Sequence, residues 1–226
     1  MAQSPLVSVA WLAEHLQDPD LKLFDASVPP VVPGFESLNA SAPLKVIPRA
    51  GRFDYDQRIC KPDTSLPHMM PSADLFQSEV RKLGVRRDSI VVVYDDVGLY
   101  ASPRAWWMFR AMGHEQVFVL AGGLPAWLEA GHEVSDHYLP EPGDGDFVAN
   151  EQPGFIVDAA TVLQALDDPG TVVLDARSAG RFCGLEPEPR PGVREGHMPG
   201  AKNLPCGQVL DGYSLKPVAE LRELLG

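Results

Sequence analysis

The sequence predicts an α/β fold of two tandem domains, each a mainly parallel sheet flanked by helices, with the second domain incomplete. Strands rich in Val and Ile alternate with amphipathic helices, which is typical of a parallel sheet covered on both faces. One order of elements also occurs twice: a strand, a helix, an Asp-Pro turn and a second strand. The two copies are VSVAWLAEHLQDPDLKLFDAS and FIVDAATVLQALDDPGTVVLDAR. We therefore expect a duplicated α/β unit, and a short strand at the start of each copy.

The sequence of the first copy predicts a complete α/β unit. Its helix SADLFQSEVRKLGV has Ser72 as N-cap and Gly84 as C-terminal stop, and the apolar strand SIVVVYDD follows. A loop, VGLYASPR, leads into a helix AWWMFRAMG that Ser102 and Pro103 introduce. The strand QVFVL and a helix within GGLPAWLEAG complete the alternation.

The segment between the copies predicts a linker, because HEVSDHYLPEPGDGDFVANEQPG is rich in Pro, Gly and acids and lacks an apolar period. We expect a first domain over 1–131, a linker over 132–154 and a second domain over 155–226. When the Leu-Gly pair that ends the second copy is aligned with Leu83-Gly84, the second central strand and its loop fall after the last residue. The second domain is therefore expected to be truncated before that loop.

Charge and composition exclude several classes of function. The net charge of −12, with a pI near 4.8, argues against nucleic acid and anionic membrane as partners. The chain has no apolar run of membrane-spanning length and no secretory signal, which favours a cytoplasmic location. Three cysteines without a CxxC pair favour neither a disulfide framework nor a zinc site, and we expect no metal or organic cofactor.

Several long segments are specific enough to compare with known families: IPRAGRFDYD with LPHMMP, VVVYDDVGLYASPRAWWMFRAMG with LAGGLPAWL, and LDARSAGRFCGLEPEPRPGVREGHMPGAKNLP. They resemble the tandem rhodanese family, most closely its 3-mercaptopyruvate sulfurtransferase branch. The resemblance implies two rhodanese-like domains, with the reactive cysteine in the loop after the central strand of the second. In the first copy Asp95 and Asp96 stand in that place, and a carboxylate cannot carry a persulfide. On residues alone, the preferred interpretation of Asp95 is a strand-end residue that is solvated or caps a helix.

Four residues match the family's functional positions. Arg181 and Arg190 match the arginines that bind the carboxylate and carbonyl of mercaptopyruvate; charge pattern alone would leave them solvated or paired with a nearby glutamate. Asp56 and His68 match a couple that acts with a serine of the cysteine loop as a proton relay; without the resemblance they would be ordinary loop residues. Three further residues are predicted only to order loops: Asp175, Arg177 and His197.

The resemblance implies a sulfurtransferase that moves sulfane sulfur from 3-mercaptopyruvate or thiosulfate, through a cysteine persulfide, to cyanide or a thiol acceptor such as thioredoxin. None of Cys60, Cys183 and Cys206 lies in a strand, loop and helix anion cradle, so the nucleophile is expected beyond residue 226 and the printed chain is expected to be inactive. One alternative is a non-catalytic binding or scaffold module. Another is a cysteine phosphatase, against which the PEPR segment and the duplication argue.

Overall fold

The computed structural model describes residues 4–41, 43–190 and 192–225, and it divides into two units between Phe155 and Ile156. The first unit alternates strands and helices as the sequence predicts. In chain order its elements are β1 (Leu6–Val7), α1 (Val9–His15), β2 (Leu21–Asp25), β3 (Gly51–Arg52), α2 (Ala73–Lys82), β4 (Ile90–Tyr94), α3 (Ser102–Ala111), β5 (Val117–Leu120) and α4 (Gly123–Glu129).

The strands of the first unit form one parallel sheet in the order β1-β5-β4-β2-β3. Residues of β4 pair on both sides, with Val92 opposite Leu23 of β2 and Phe118 of β5. Because all strands run the same way, their carboxyl ends meet at one edge, where the loops after β2 and β4 lie. The predicted α/β fold with a mainly parallel sheet is confirmed.

Both faces of the sheet are buried, and β4 shows why the strand sequence is continuously apolar. Val91 and Val93 face one hydrophobic cluster, whereas Val92 and Tyr94 face the other, as the two-residue period of a strand requires. The first cluster is rich in aromatic side chains, including Phe24, Phe53, Phe76, Phe109 and Phe147. The second cluster includes Leu12, Leu23, Leu120, Leu124 and Trp127.

The ends of α2 follow the predicted signals. The Ser72 hydroxyl accepts a hydrogen bond from the Leu75 N–H at 3.3 Å, which satisfies one of the free donors of the first turn. Gly84 follows the helix with a φ of +77°, a left-handed conformation that favours glycine. A Cβ atom at Gly84 would also lie 2.5 Å from Pro142 Cγ. This stop therefore requires glycine for two independent reasons.

The second unit, described by itself, has shorter elements. They are α5 (Ala159–Leu166), β6 (Leu174–Asp175), α6 (Ala179–Cys183), β7 (Lys202–Asn203), a 3-10 helix (Cys206–Val209), β8 (Leu210–Asp211), β9 (Ser214–Leu215) and α7 (Val218–Leu225). Strands β6 and β7 pair in parallel, and β8 and β9 form an antiparallel hairpin. The Asp158 carboxylate caps α5 by accepting from the Thr161 N–H at 2.8 Å.

The prediction of a strand at the start of the second copy was wrong, since residues 155–158 form none. In the first unit, β1 is held by pairing with β5, where Leu6 lies opposite Val119. Within residues 156–225, apart from Pro191, no strand lies beside the corresponding segment, so its backbone groups lack a ladder. Across the described ranges, none of the helices has the length and apolar character that a bilayer crossing requires.

Candidate functional site

The structure brings Asp56 and His68 together in the loop between β3 and α2. His68 Nε2 lies 2.6 Å from Asp56 Oδ1, and both side chains are about one-third exposed. A carboxylate only accepts hydrogen bonds, so Nε2 is the donor in this contact. The Asp54 carboxylate accepts from the N–H groups of Asp56 and Gln57, which shapes the turn that presents Asp56.

The main chain at His68 adopts a left-handed conformation, with a φ of +56°. Its carbonyl oxygen accepts a hydrogen bond from Arg104 Nη2 at 2.9 Å. The Tyr55 ring packs against the imidazole edge to face, with centroids 5.4 Å apart. His68 is thus held on its ring by Asp56 and Tyr55 and on its backbone by Arg104.

Cys60 lies beside this couple but is poorly suited to be a nucleophile. Its thiol donates to the main-chain oxygen of Asp56 at 3.3 Å. Burial raises the thiol pKa, and the nearby carboxylates of Asp54 and Asp56 raise it further. The thiolate that sulfur chemistry needs is therefore disfavoured at Cys60, whereas Cys183 and Cys206 are exposed free thiols.

The loop from β4 to α3 encloses the fully buried carboxylate of Asp95. Oδ1 accepts from the N–H groups of Val97 and Gly98, at 3.0 and 2.7 Å. Oδ2 accepts from the N–H groups that lead into α3 and from a hydroxyl: Tyr100 N (3.1 Å), Ala101 N (3.0 Å), Ser102 N (2.8 Å) and Ser102 Oγ (2.6 Å). The loop is an amide-lined anion cradle, and the protein's own carboxylate fills it. Asp95 was expected to be either solvated or a helix cap, and the structure shows a buried side chain in the capping role.

A second polar cluster lies at the same edge of the sheet, around Asp25 at the end of β2. Its carboxylate accepts from Ser27 and from the Tyr138 hydroxyl, the latter at 2.9 Å. Burial raises the pKa of Asp25, although these hydrogen bonds and Arg52 act in the opposite direction. Asp96 is also buried beside it, and its Oδ1 has no partner among the described residues. These side chains line an open cleft of about 740 Å³.

In the second unit, Glu188 binds two arginines. Arg181 donates from Nη2 to Oε2 at 2.6 Å, and Arg177 donates from Nη1 to Oε1 at 2.7 Å. The hydrogen bond from Arg181 is the main reason that the pKa of Glu188 lies below its usual value. The Glu188 side chain is only 6% exposed. Pairing of Arg181 with a nearby glutamate, the alternative to substrate binding, is thus present.

Arg190 behaves differently from Arg181. It is exposed, and it makes no hydrogen bond or ion pair within the part of the chain that the structure describes. The substrate-binding role of both arginines stays a prediction. The predicted loop-ordering roles are confirmed: Arg177 binds the Asp175 carboxylate and Gly196 O, and the His197 ring stacks on Phe182 with Nδ1 2.7 Å from its main-chain oxygen.

Comparison with known proteins decides the family. A family model described as a rhodanese-like domain matches residues 8–130. The 3-mercaptopyruvate sulfurtransferase of Escherichia coli strain K12 is 37% identical over 223 residues, which cover 98% of this chain and 78% of that relative. The chain belongs to the rhodanese family. The prediction from sequence is confirmed, and the 3-mercaptopyruvate sulfurtransferases are among its homologues.

Other rhodanese relatives agree with this assignment. Thiosulfate/3-mercaptopyruvate sulfurtransferase 1, mitochondrial, of Arabidopsis thaliana is 39% identical over 242 residues, which cover 97% of this chain and 63% of that relative. The crystal structure of SseA, a 3-mercaptopyruvate sulfurtransferase from Escherichia coli, matches with a TM-score of 0.84 and 33% identity, covering 98% of this chain and 82% of that one. Because the plant relative is mitochondrial, a cytoplasmic location for this rhodanese stays a prediction.

Reasoning from sequence missed Arg104, which contacts the candidate site from a helix 36 residues away. One signal was available. No acidic residue stands three or four positions from Arg104 on either side, since those positions are Tyr100, Ala101, Trp107 and Met108. A helical arginine without a local acid to pair with is free for a tertiary contact.

Proposed function

We propose that this rhodanese takes part in sulfur transfer from 3-mercaptopyruvate, or from thiosulfate, through a cysteine persulfide to cyanide or to a thiol acceptor such as thioredoxin. The observation that carries the proposal is the 2.6 Å contact between Asp56 and His68 in a chain whose relatives are 3-mercaptopyruvate sulfurtransferases. We further propose the domain organisation 1–131, 132–154 and 155–226, with a non-catalytic first domain.

The proposed reaction begins when a cysteine thiolate attacks the sulfur of mercaptopyruvate. A sulfur–sulfur bond forms from the thiolate electron pair, and the carbon–sulfur bond breaks with its electrons moving to the carbon. The resulting enolate takes one proton and leaves as pyruvate, while the cysteine holds a persulfide. An acceptor such as cyanide then attacks the outer sulfur, forms thiocyanate and regenerates the thiolate. No oxidant or reductant is required.

Asp56 and His68 suit the proton step. The Asp56 carboxylate fixes the imidazole so that Nε2 carries hydrogen, which leaves Nδ1 to receive a proton from the substrate side and deliver it to the enolate carbon. The partial exposure of both side chains keeps this nitrogen within reach of a small molecule. The couple acts here as a general acid and base.

Arg181 and Arg190 suit the anionic substrate. Glu188 occupies the Nε and Nη2 edge of Arg181, and no hydrogen bond to its Nη1 is found within the described residues. We propose that Glu188 orients this guanidinium so that Nη1 donates to the substrate. Arg190, which is exposed, would supply the second fork for the carboxylate and carbonyl oxygens. Two guanidinium groups directed at one site could bind a small anion even in a protein whose net charge is −12.

The test measures pyruvate release and sulfur loading together. Residues 1–226 and the product of the complete gene are each incubated with 3-mercaptopyruvate, pyruvate is followed through lactate dehydrogenase, and persulfide is located by mass spectrometry of peptides. We expect the gene product to release pyruvate. Residues 1–226 should release none, because none of Cys60, Cys183 and Cys206 suits the role of nucleophile. A persulfide on Cys60, Cys183 or Cys206 would contradict the proposed nucleophile. No pyruvate from the gene product would favour a binding or scaffold module instead.

A further inference from the structure

We propose that Arg104 is a positioning residue, which holds the main chain of His68 so that the imidazole meets Asp56. The catalytic meaning of this role rests on the proposed function, whereas the geometry stands on the first unit alone. Arg104 Nη2 donates a hydrogen bond to the main-chain oxygen of His68 at 2.9 Å. The ring of the same histidine contacts Asp56 through Nε2. Arg104 touches no reacting atom itself.

The conformation of His68 explains why a positioning residue is needed. A φ of +56° is uncommon for any residue with a Cβ atom, and an extended or helical backbone would be preferred in the absence of other contacts. Rotation back to an extended backbone would swing the imidazole away from Asp56. The strained conformation therefore persists only where surrounding contacts hold it.

Those contacts act on different parts of the loop. The Tyr55 ring and the Asp56 carboxylate contact the imidazole, and the N–H of Lys61 bonds the carbonyl of the next residue, Met69, at 2.9 Å. Within the described residues, the bond from Arg104 is the one that engages the main chain of His68. Its loss would leave the left-handed peptide without direct support.

Arg104 is well placed for this task because its helix is fixed at the start. Ser102, the first residue of α3, bonds the buried Asp95 carboxylate through both its N–H and its hydroxyl. Arg104 is the third residue of α3, and its own N–H bonds Ala101 O at 3.0 Å. The Asp95 cradle thus anchors the helix from which Arg104 reaches His68.

The environment of Arg104 points to the carbonyl as its intended partner. The guanidinium is partly buried. Among the described residues, no carboxylate lies within ion-pair distance of it and its buried Nε has no hydrogen-bond partner. Burying a cation without a counter-charge is unfavourable unless its donors are used. Within the part of the chain that the structure describes, the one side-chain bond that Arg104 makes goes to His68.

The experiment reads the contact directly, without requiring activity. In residues 1–226 with nitrogen-15-labelled histidine, the His68 Nε2–H should give a slowly exchanging, downfield proton resonance, assigned with His68→Gln. We expect Arg104→Met to abolish it. The matched control is Arg110→Met on the same helix, where the guanidinium also bonds a main-chain oxygen, that of Glu115, at 3.2 Å. The control should leave the resonance unchanged.

A second variant distinguishes loss of the Arg104 contact from unfolding of the protein. Arg104→Lys keeps a charged donor but lacks the planar fork, so we expect a resonance weakened at least about twofold in a folded protein. In the complete gene product, Arg104→Met should lower kcat for mercaptopyruvate about tenfold with a smaller change in KM, and Arg104→Lys should restore part of it.

The outcomes separate the two ideas. A resonance that persists at full strength in every folded Arg104 variant overturns the positioning role and leaves the proposed function intact. Absence of the resonance from the wild-type protein contradicts the Asp56–His68 couple, and the proposed function with it. Its loss in Arg104→Met alone, with Arg110→Met unchanged, supports the positioning role.

Discussion

Asp95 binds Ser102 twice, since its Oδ2 accepts from the Ser102 N–H at 2.8 Å and from the Ser102 hydroxyl at 2.6 Å. The same carboxylate accepts hydrogen bonds from further N–H groups of the loop. It therefore occupies the place in the first unit where, by the resemblance to rhodaneses, the second domain would carry sulfur. An anion cradle closed by its own side chain needs no ligand to be stable. This loop therefore serves the first unit as a structural clamp between β4 and α3.

Replacing Asp95 should accordingly destabilise the first unit. Asp95→Ala leaves several buried N–H groups without an acceptor, and each such group costs about 1–3 kcal/mol, so we expect a loss of at least about 3 kcal/mol in the free energy of unfolding. Urea denaturation followed by tryptophan fluorescence measures it. Asp88→Ala, at an exposed turn, is the control. A change below 1 kcal/mol, on the order of a surface substitution, would contradict the clamp.

Asp56→Asn tests the proton relay. The asparagine has nearly the same shape, but its amide no longer stabilises a positively charged imidazole or fixes the tautomer. In the complete gene product we expect kcat for mercaptopyruvate to fall about 100-fold, a typical contribution of general acid and base catalysis, with little change in KM. Asp136→Asn removes the carboxylate of an exposed Asp–His pair and should have no effect. Equal losses of kcat in both variants would contradict the proton relay.

The elements of the first unit could be predicted because each signal is local. Ser72 and Gly84 bound α2 through contacts with their own helix or its immediate surroundings, and β4 is a run of apolar residues that only a doubly covered sheet can bury. The strand expected over residues 155–158 failed because a strand depends on a partner elsewhere in the chain, and local pattern carries no information about that partner.

The candidate site likewise has features that could be predicted from the sequence and features that could not. Asp56 and His68 were predicted from the resemblance to rhodaneses, and the structure brings these two side chains into contact. The left-handed backbone of His68 and its bond from Arg104 are tertiary features, because they arise from a loop and a helix that meet only in the folded unit. The binding of Arg181 by Glu188 was foreseen only as one of several pairings.

Arg190→Ala tests the assignment of substrate. The guanidinium is proposed to bind the carboxylate and carbonyl of mercaptopyruvate, and thiosulfate has neither group. In the complete gene product we expect KM for mercaptopyruvate to rise about tenfold or more, because a charge-assisted bond is lost, while KM for thiosulfate changes far less. Arg194→Ala, in the same loop, is the control. Equal increases for both substrates would refute the role.

Glu188→Gln tests whether this carboxylate orients Arg181. The glutamine keeps the shape but weakens the charge-assisted bonds to Arg181 and Arg177. We expect KM for mercaptopyruvate to rise about fivefold in the complete gene product, because a misoriented donor loses binding geometry. Glu186→Gln is the matched control, since within the described residues the Glu186 carboxylate accepts a hydrogen bond from the Ser178 hydroxyl alone. A lower KM would instead show that Glu188 competes with the substrate.

His114 should make the stability of the first unit depend on pH. The ring is buried against Phe109 and Phe147, and Nε2 lies 2.9 Å from Ser89 O. Burial lowers the pKa of His114, and the hydrogen bonds to the main chain only partly oppose it. The folded protein therefore binds a proton less readily at this site than the unfolded chain, in which histidine titrates near about 6.5.

The sign of the effect follows from this difference. Above pH of about 6.5 both states are neutral at His114 and the group contributes no slope. As the pH falls below that value the unfolded chain takes up the proton first, so the free energy of unfolding should decrease, by up to about 1.4 kcal/mol per pH unit. Urea midpoints at pH 7.0 and about 5.5 measure the loss. His114→Phe should reduce the difference between the two midpoints, and His137→Phe, at an exposed site, should not. Because other groups titrate equally in each variant, an unchanged difference in His114→Phe would mean that the buried imidazole is not the source.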